Sequence, residues 1–330
     1  MAEALATTDP RTADGAAPGA AAADFTVAAT ETDVAVTADG VEILRYVVRP
    51  NTAPEEAPKP YLYPLRFLDG GEAAVRRPWD HRWHTGLQFT WSHVADQNFW
   101  GGPTFSREAG YEQKDNLGRM VHQGFAEQPA DGREAVFDET LEWIDSRGQH
   151  WFDEHRIHRV HSLDTERGIW SVDLTTTLTN VSGETLPMGS PTTAGREQAG
   201  YTGWFWRGPR SWTGARVRSA TGLEGDEAVM GTVADWIALS SEHDGIDGGG
   251  TILAFAGSSA AEHEGRTLEL PPIRWFVRTG VFAVVSPSPA FYEEIHLPHR
   301  GTLTLNHRYV FVARVLDDAE LAALGQEFAL

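Results

Sequence analysis

The chain has 330 residues, a formal net charge of -20 and no cysteine. Nucleic-acid binding draws most of its affinity from basic groups that neutralise phosphates, so this charge argues against a nucleic-acid partner. The lack of cysteine excludes disulfides, thiolate catalysis and cysteine-ligated metals, and a metal site would have to use His, Asp or Glu.

Residues 1–23 are rich in alanine, glycine and threonine and are predicted to be a disordered leader. They carry too few apolar side chains to offset the entropy cost of ordering. The segment has no basic start and no apolar run of signal-peptide length. Nowhere in the chain do about 18 uncharged apolar residues follow one another, so we expect no transmembrane helix and no membrane partner. Cytoplasmic localisation is therefore the default expectation.

Apolar and polar residues alternate with a period of two from Phe25 onward, which is typical of strands with one buried face. Turn signals rich in Gly, Asp and Asn separate these strands at hairpin-like spacing. The segment SEHDGIDGGGTI is predicted to be a flexible loop. The clearest strands, in chain order, are VEILRYVVRP, AVFDETLEWI, WSVDLTTTLTN, GTILAFAG, WFVRTGVFAVVS and GTLTLNHRYVFVAR.

A short amphipathic helix is predicted in DDAELAALGQEF, where Asp317 or Asp318 can cap the first turn. The fold class is therefore all-β: a large antiparallel β-sandwich with a few short helices. No Pro/Gly/Ser-rich linker and no repeat of fixed period divides the body. Residues 24–330 are predicted to form a single β-sandwich domain.

The stretch PWDHRWHTGLQFTW places Asp80, His81 and His84 just before an alternating strand. Residues three apart in a regular strand point to opposite faces, so the two histidines share a site only if residues 80–84 form a loop or bend. His81 and His84 are then candidates for holding a divalent metal or for proton transfer. The alternative is that one imidazole donates to a backbone carbonyl while the other is exposed.

The segment HWFDEHRIHRVH reads as a strand that carries Glu154, Arg156 and His158 on one face. Such a row of ionisable groups is expected on a concave sheet lined with acid and base groups. An exposed strand face with cross-strand ion pairs would produce the same pattern. The sequence leaves both interpretations open.

Aromatic residues stand next to arginines in AGYTGWFWRGPRSW, and similar pairings occur in DQNFWGG and PIRWFVR. Aromatic planes beside guanidinium groups suit sugars, whose C–H faces stack on rings while their hydroxyls accept hydrogen bonds. An ordinary β-core with snorkelling arginines is the alternative. The candidate substrate-binding residues are Trp100, His122, Arg156, Trp206, Arg207 and Arg278.

Several stretches resemble a bacterial family labelled PmoA or methane oxygenase, whose members are domains of unknown function. The resemblance runs from about Val41 to Arg314, and its most specific part is Asp-His-x-x-His-x-Gly, matched by Asp80, His81, His84 and Gly86. It implies a galactose-mutarotase-like supersandwich and a role in sugar metabolism beside sugar dehydrogenases. The stretches that carry it are PYLYPLRFLDGGEAAVRRPWDHRWHTGLQFTW, NFWGG, GRMVHQGF, DEHRIHRV and RWFVR…SPAF.

The leading hypothesis is a carbohydrate-active enzyme, a lyase, isomerase or hydrolase, that transfers protons on a sugar or an oxidised 3-keto sugar. Such an enzyme would eliminate or hydrolyse a keto-glycoside, or catalyse epimerisation or mutarotation. Glu154 or His84 is the candidate base and His81 or His158 the candidate acid, while Arg207 or a metal would stabilise an enolate.

Two other classes of protein remain open from the sequence. A non-catalytic carbohydrate-binding or regulatory protein needs only the stacked aromatics and arginines. A metal oxygenase would use His81, His84 and a carboxylate as ligands. No Walker loop, dinucleotide fingerprint, HExxH or GxSxG motif occurs, so no nucleotide cofactor is expected. The expected partner is a small sugar or sugar derivative, and a homodimer is one oligomeric state open to the chain.

Overall fold

The computed structural model describes residues 24–330, and β-strands dominate them. The predicted leader, residues 1–23, lies outside the described residues. Within these residues there are two α-helices, α1 (Asp226–Val229) and α2 (Asp318–Glu327), and two short 3-10 helices at Pro54–Glu56 and Arg210–Trp212. The strands, in chain order, are β1 (Thr26–Ala29), β2 (Asp33–Ala38), β3 (Val41–Val47), β4 (Tyr61–Leu65), β5 (Leu87–Thr90), β6 (His93–Val94), β7 (Thr104–Ser106), β8 (Gly110–Glu112), β9 (Arg119–Phe125), β10 (Ala135–Ile144), β11 (His150–Asp164), β12 (Ile169–Asn180), β13 (Leu186–Gly189), β14 (Gly203–Arg207), β15 (Arg216–Ser219), β16 (Trp236–Glu242), β17 (Gly249–His263), β18 (Arg266–Leu268), β19 (Arg274–Arg278), β20 (Val284–Ser288), β21 (Ile295–Leu297) and β22 (Thr302–Val312).

The strands form two large antiparallel sheets that pack against each other. The eight-stranded sheet has the order β1-β2-β3-β4-β5-β14-β20-β19. The nine-stranded sheet has the order β15-β16-β17-β22-β12-β11-β10-β9, with β18 paired to β17. Two smaller sheets, β21-β13-β6 and β7-β8, lie outside them. This architecture confirms the predicted all-β antiparallel sandwich.

Aromatic side chains from both large sheets fill the space between them. On β12, alternate residues such as Val172 and Leu174 are fully buried, as the period-two pattern requires. Trp170 stacks on Phe311 of β22 with ring centres 4.1 Å apart. Burial of this aromatic surface is a large favourable contribution to the fold.

Most of the predicted strands are present, and one has the predicted ends. The strand β10 coincides with AVFDETLEWI from its first residue to its last. The segment WFVRTGVFAVVS, by contrast, is a hairpin of β19 and β20. Its chain leaves the ladder where the Asp226 carboxylate accepts a hydrogen bond from the Thr279 amide at 2.6 Å. The Thr279 amide is thus bonded to a side chain on α1, 53 residues away in the chain, rather than to a neighbouring strand.

Two further predictions differ in their outcome. The C-terminal helix is present, and the residue that caps it is Asp317, which forms a capping box with Glu320. The predicted loop SEHDGIDGGGTI is a loop only over residues 243–248, because Glu242 and Gly249 already pair between β16 and β17.

None of the helices in residues 24–330 is long and apolar enough to cross a membrane.

The outer face of the eight-stranded sheet, turned away from the nine-stranded sheet, positions the candidate site. In β14, Trp204 and Trp206 point into the space between the sheets, where they contact Arg156 and Trp212. By strand parity, Phe205 and Arg207 point to the outer face. Loops cover this outer face and enclose a cavity against it; they lie at 78–84, 92–103, 191–201 and 279–283.

Candidate functional site

Two consecutive turns bring the histidines of the Asp-His-x-x-His motif to one side of the chain. The His81 amide donates to the Pro78 carbonyl at 3.1 Å, and the His84 amide donates to the His81 carbonyl at 3.0 Å. The two imidazole rings are stacked, with centres 4.7 Å apart and planes inclined by 16°. Residues 80–84 thus leave strand geometry, which is the condition under which both imidazoles can reach one site.

Gly86, the last residue of the motif, allows the following strand to pair closely with β4. Its φ of +64° lies in the left-handed region, and a Cβ at this position would lie 2.2 Å from the Leu62 carbonyl oxygen. Any side chain would push β5 away from β4. The glycine therefore fixes the position at which the histidine turn enters the sheet.

Asp80 lies between two arginines at the base of this turn. Its carboxylate is 3.3 Å from a terminal nitrogen of Arg207 and 2.9 Å from one of Arg210. Burial would raise the pKa of Asp80, but the neighbouring Arg207 guanidinium outweighs burial and holds this pKa below its usual range. Asp80 is therefore ionised at neutral pH, and its carboxylate also lies 3.4 Å from Nδ1 of His81.

His84 is buried and neutral. Burial, with further contributions from His81, Arg207 and Lys59, lowers the pKa of His84 well below its usual value. A terminal nitrogen of Arg207 lies 3.3 Å from His84 Nδ1. Because a guanidinium only donates hydrogen bonds, Nδ1 must accept and the ring proton sits on Nε2. His84 therefore presents an N–H donor to the cavity that it lines.

His81 has the complementary arrangement. Burial lowers its pKa, and the attraction of Asp80 partly opposes this effect, so the ring is neutral at pH 7. The carboxylate near Nδ1 favours a proton on that nitrogen, which leaves the lone pair on Nε2. At 3.4 Å the Asp80–His81 pair is an electrostatic contact rather than an aligned hydrogen bond. The two stacked imidazoles thus offer one acceptor and one donor.

A cavity of about 350 Å³ opens in front of the two histidines. Its volume lies within the range of about 300–1,000 Å³ typical of small-molecule sites. Arg207 does not line the cavity but stacks behind it, with its guanidinium carbon 3.7 Å from the ring centre of Phe282. Burial lowers the pKa of Arg207 to about 10, so it keeps its charge at neutral pH. The aromatic lining consists of Trp83, Trp100, Phe105, Tyr111, Tyr201, Phe205, Phe276 and Phe282.

The NFWGG loop fixes two of these aromatic rings. Asn98 Oδ1 accepts hydrogen bonds from the Trp100 amide at 2.7 Å and the Gly101 amide at 3.0 Å, which closes the loop. Gly102 has a φ of +64°, and a Cβ there would lie 2.6 Å from the ring of Trp83. The glycine leaves room for Trp83, and the asparagine orients Trp100.

Lys59 supports the same loop from behind, and no local sequence pattern pointed to it. Its buried Nζ donates to the carbonyl oxygens of Trp100 at 2.8 Å, Ala57 at 2.8 Å and Glu56 at 3.0 Å. Burial lowers the pKa of Lys59 to about 7. Its hydrogen bonds hold the Trp100 backbone beside the cavity.

The predicted residues Glu154 and Arg156 lie elsewhere, in the core on the inner face of β11. Arg156 donates to both carboxylate oxygens of Glu154, at 2.6 and 2.9 Å, and Trp143 Nε1 donates to Glu154 at 2.7 Å. Burial alone would lower the pKa of Arg156, but Glu154 and its other acidic neighbours raise this pKa above its usual value. The two side chains form a buried ion pair.

His122 and His158 belong to the same interior group. His122 Nδ1 lies 2.5 Å from Glu139, which also accepts a hydrogen bond from the Tyr46 hydroxyl. His158 packs edge-on against Tyr46, and neither of its ring nitrogens has a hydrogen-bond partner among residues 24–330. Burial lowers the pKa of His158 well below its usual value, so this ring is neutral. We refer to Tyr46, His122, Glu139, Glu154, Arg156 and His158 as the interior network.

The eight-stranded sheet separates the interior network from the cavity. Arg156 lies against Phe89 and Trp204 on the inner face, at 5.6 and 5.5 Å from their ring centres. Arg207 and the histidine turn lie on the outer face of the same strands. The structure therefore does not bring Glu154 and Arg207 together, contrary to the expectation from the sequence.

Among the predicted substrate-binding residues, Trp100 and Arg278 line the cavity and Trp206 does not. Trp206 is fully buried between the sheets, where its Nε1 donates to the Ala73 carbonyl at 2.7 Å. Its neighbour Phe205 lines the cavity instead. Strand parity in GWFWR contains this signal, because Phe205 shares a face with Arg207 whereas Trp206 shares one with Trp204.

The histidine pair does not fit a divalent metal. Within residues 24–330 no three His, Asp or Glu side chains are grouped closely enough to hold an ion. Nδ1 of His84 is occupied by the positively charged Arg207, and a second cation beside it would be repelled. The donor set suits proton transfer better than metal binding.

A family model matches residues 33–326, a range that contains the histidine turn, the cavity and the interior network. The chain belongs to this family. It is a family of unknown function, DUF6807, which agrees with the expected domain of unknown function. No curated protein matches the chain.

Proposed function

We propose that the chain is a carbohydrate-active enzyme that transfers protons on a sugar or a 3-keto sugar bound in the cavity. The observation that carries the proposal is a pair of stacked neutral imidazoles on the wall of an aromatic cavity. Asp80 lies beside the imidazole of His81, and Arg207 lies beside that of His84. Aromatic walls favour the C–H faces of a sugar ring, and the imidazoles supply an acceptor and a donor.

In this proposal His81 is the general base and His84 is the hydrogen-bond donor. The lone pair on His81 Nε2 accepts a proton, and Asp80 stabilises the imidazolium that forms. His84 donates its Nε2–H to the oxygen that gains negative charge, while Arg207 holds its tautomer. These roles reverse the expectation from the sequence, in which His84 was a candidate base and His81 a candidate acid. Glu154 and His158, the other candidate base and acid, have no part in the proposal.

On a 3-keto-glycoside the steps are those of an elimination. His81 removes the proton at C2, and the electron pair moves onto the C3 oxygen, which accepts a hydrogen bond from His84. When the C3 carbonyl re-forms, a C1–C2 double bond forms and the C1–O glycosidic bond breaks. The departing oxygen takes the proton carried by His81. The products are an alcohol and an unsaturated keto sugar, and addition of water to the latter completes a net hydrolysis.

The first step can be tested by solvent exchange. In D₂O, the C2 proton of a methyl 3-keto-glucoside should be replaced by deuterium in the presence of the protein, followed by NMR. His81→Gln should slow exchange by about a hundredfold or more, the usual contribution of a general base. The matched control is His155→Gln, since exposed His155 forms a similar pair with Asp138 at 2.6 Å on the outer face of β11.

Exchange at the wild-type rate in the His81→Gln variant would contradict the proposal. The same NMR samples report binding, so tight binding without exchange or product would favour a non-catalytic carbohydrate-binding protein. Free glucose and galactose should be included, because anomeric exchange of a free sugar needs the same base and donor at the anomeric hydroxyl and ring oxygen.

A further inference from the structure

A second group of polar side chains lines the cavity beside the histidines. It consists of Arg196, Arg278, Tyr111 and Tyr201. Arg196 donates to the Tyr111 hydroxyl, whose oxygen lies 2.7 Å from that of Tyr201. Arg278 donates to the Gln198 carbonyl at 2.9 Å. We call these four residues the arginine-tyrosine group.

Neither arginine forms an ion pair in the described part of the protein, although Asp226 is close enough to favour the charge of Arg278. Across residues 24–330 no carboxylate lies within 4.0 Å of Arg196 or Arg278, whereas Arg207 and Arg210 both pair with Asp80. The cavity lining contains no Asp or Glu at all. This is unusual in a chain with a net charge of -20, where acids outnumber bases 47 to 27.

The hydrogen-bonding capacity of the group is also largely unused. A guanidinium has five N–H donors, and Arg196 and Arg278 each donate one hydrogen bond to a partner in residues 24–330. Burial raises the pKa of Tyr201 well above its usual value, so its hydroxyl stays protonated. Since Tyr111 accepts from Arg196 and can donate to Tyr201, the Tyr201 proton remains free to point into the cavity.

Burial and the neighbouring Arg196 both lower the pKa of half-buried Arg278, and the nearby Asp226 only partly opposes them. An anion bound between the two arginines would relieve their mutual repulsion. A carboxylate accepts charge-assisted hydrogen bonds from guanidinium and phenol groups in the geometry that this group offers.

We propose that the arginine-tyrosine group binds a carboxylate, and that the substrate is an acidic sugar of the uronate class. The sugar part of this inference rests on the proposed function, whereas the carboxylate part rests on the arginines alone. The carboxylate anchors one end of the ring, and the histidines act on the other.

Calorimetric titration at fixed ionic strength tests the carboxylate part and the sugar part of the inference separately. The probes are D-glucuronate, D-glucose, and cyclohexanecarboxylate, a ring carboxylate without hydroxyls. Glucuronate should bind at least about tenfold more tightly than glucose, the usual value of a hydrogen bond to a charged group. Arg278→Gln and Arg196→Gln should each remove this preference for glucuronate over glucose.

The matched control is Arg274→Gln, on the same strand and the same face as Arg278 but outside the cavity, where it donates to the Gly231 carbonyl. Equal affinity for glucuronate and glucose would overturn the carboxylate site and leave the sugar proposal standing. Arg278-dependent binding of cyclohexanecarboxylate as tight as that of glucuronate, without glucose binding, would keep the anion site and contradict the sugar proposal. Absence of binding by all three probes would overturn both.

Discussion

Asp80 is the residue on which the proposed chemistry of the site depends most. It faces His81 on one side and the charged pair Arg207 and Arg210 on the other. Its attraction for the His81 imidazolium raises the pKa of His81 against the lowering effect of burial. A substitution at Asp80 should therefore change both the rate and its pH dependence.

Asp80→Asn should lower the rate of C2 proton exchange by about a hundredfold, because the imidazolium loses its counter-charge. It should also lower the pKa of His81 further, since burial then acts without opposition. The rate falls at low pH when His81 becomes protonated, so this acid limb should move to lower pH. A pH–rate profile of the variant, beside the control Asp138→Asn, checks both effects. An acid limb that is unchanged or moves to higher pH would contradict the role of Asp80.

At the scale of elements, β11 separates two kinds of ionisable residue. Its inner face carries the buried ion pair of Glu154 and Arg156, while its outer face carries exposed cross-strand pairs such as His155 with Asp138. Neither interpretation that the sequence left open for the row of Glu154, Arg156 and His158 is correct, because this row is buried in the core rather than lining a concave site or an exposed face. Because the inner face is remote from the cavity, its role should be structural.

Glu154→Gln should reduce the free energy of unfolding by about 3 kcal/mol, because it leaves Arg156 buried without its counter-ion. Urea denaturation measures this loss. Exchange activity per folded molecule should stay at the wild-type value. The control is Asp153→Asn, an exposed acid one residue away that pairs with His150. Wild-type stability together with lost exchange would instead identify Glu154 as a catalytic group.

At the scale of the whole molecule, the charge of -20 opposes folding. Repulsion among the excess acidic groups raises the free energy of the compact state. Salt at 0.1 M largely screens the repulsion between exposed charges that are more than about 10 Å apart. Exposed ion pairs such as Arg147 with Asp96 weaken with salt, but each contributes only about 0–1 kcal/mol.

The thermal midpoint should therefore rise between 10 mM and 150 mM NaCl. Differential scanning calorimetry measures the shift, and KCl serves as the control that distinguishes screening from binding of a particular cation. A midpoint that falls with salt would mean that attractive ion pairs, rather than net repulsion, dominate the electrostatics of the fold.

The local sequence pattern was enough to predict much of the fold. Period-two alternation predicted the antiparallel sandwich, because a strand with one buried face leaves that signature whatever its partners are. Asp317 and Glu320 likewise specify a helix start through contacts three residues apart. The spacing of His81 and His84 predicted that the two imidazoles share a site only where residues 80–84 depart from strand geometry.

Tertiary structure alone decided where these residues lie. Alternation groups Phe205 with Arg207 and Trp206 with Trp204, but it does not say which pair faces the second sheet and which faces the covering loops. That choice follows from the packing of strands far apart in the chain, which removed Trp206 and Glu154 from the site. The same packing brings Arg196 and Arg278, 82 residues apart in number, into one cavity wall. The sequence by itself determined the element types and the chemical groups available, because those depend on neighbouring residues. Their assembly into a site depends on long-range contacts and was decided by the fold.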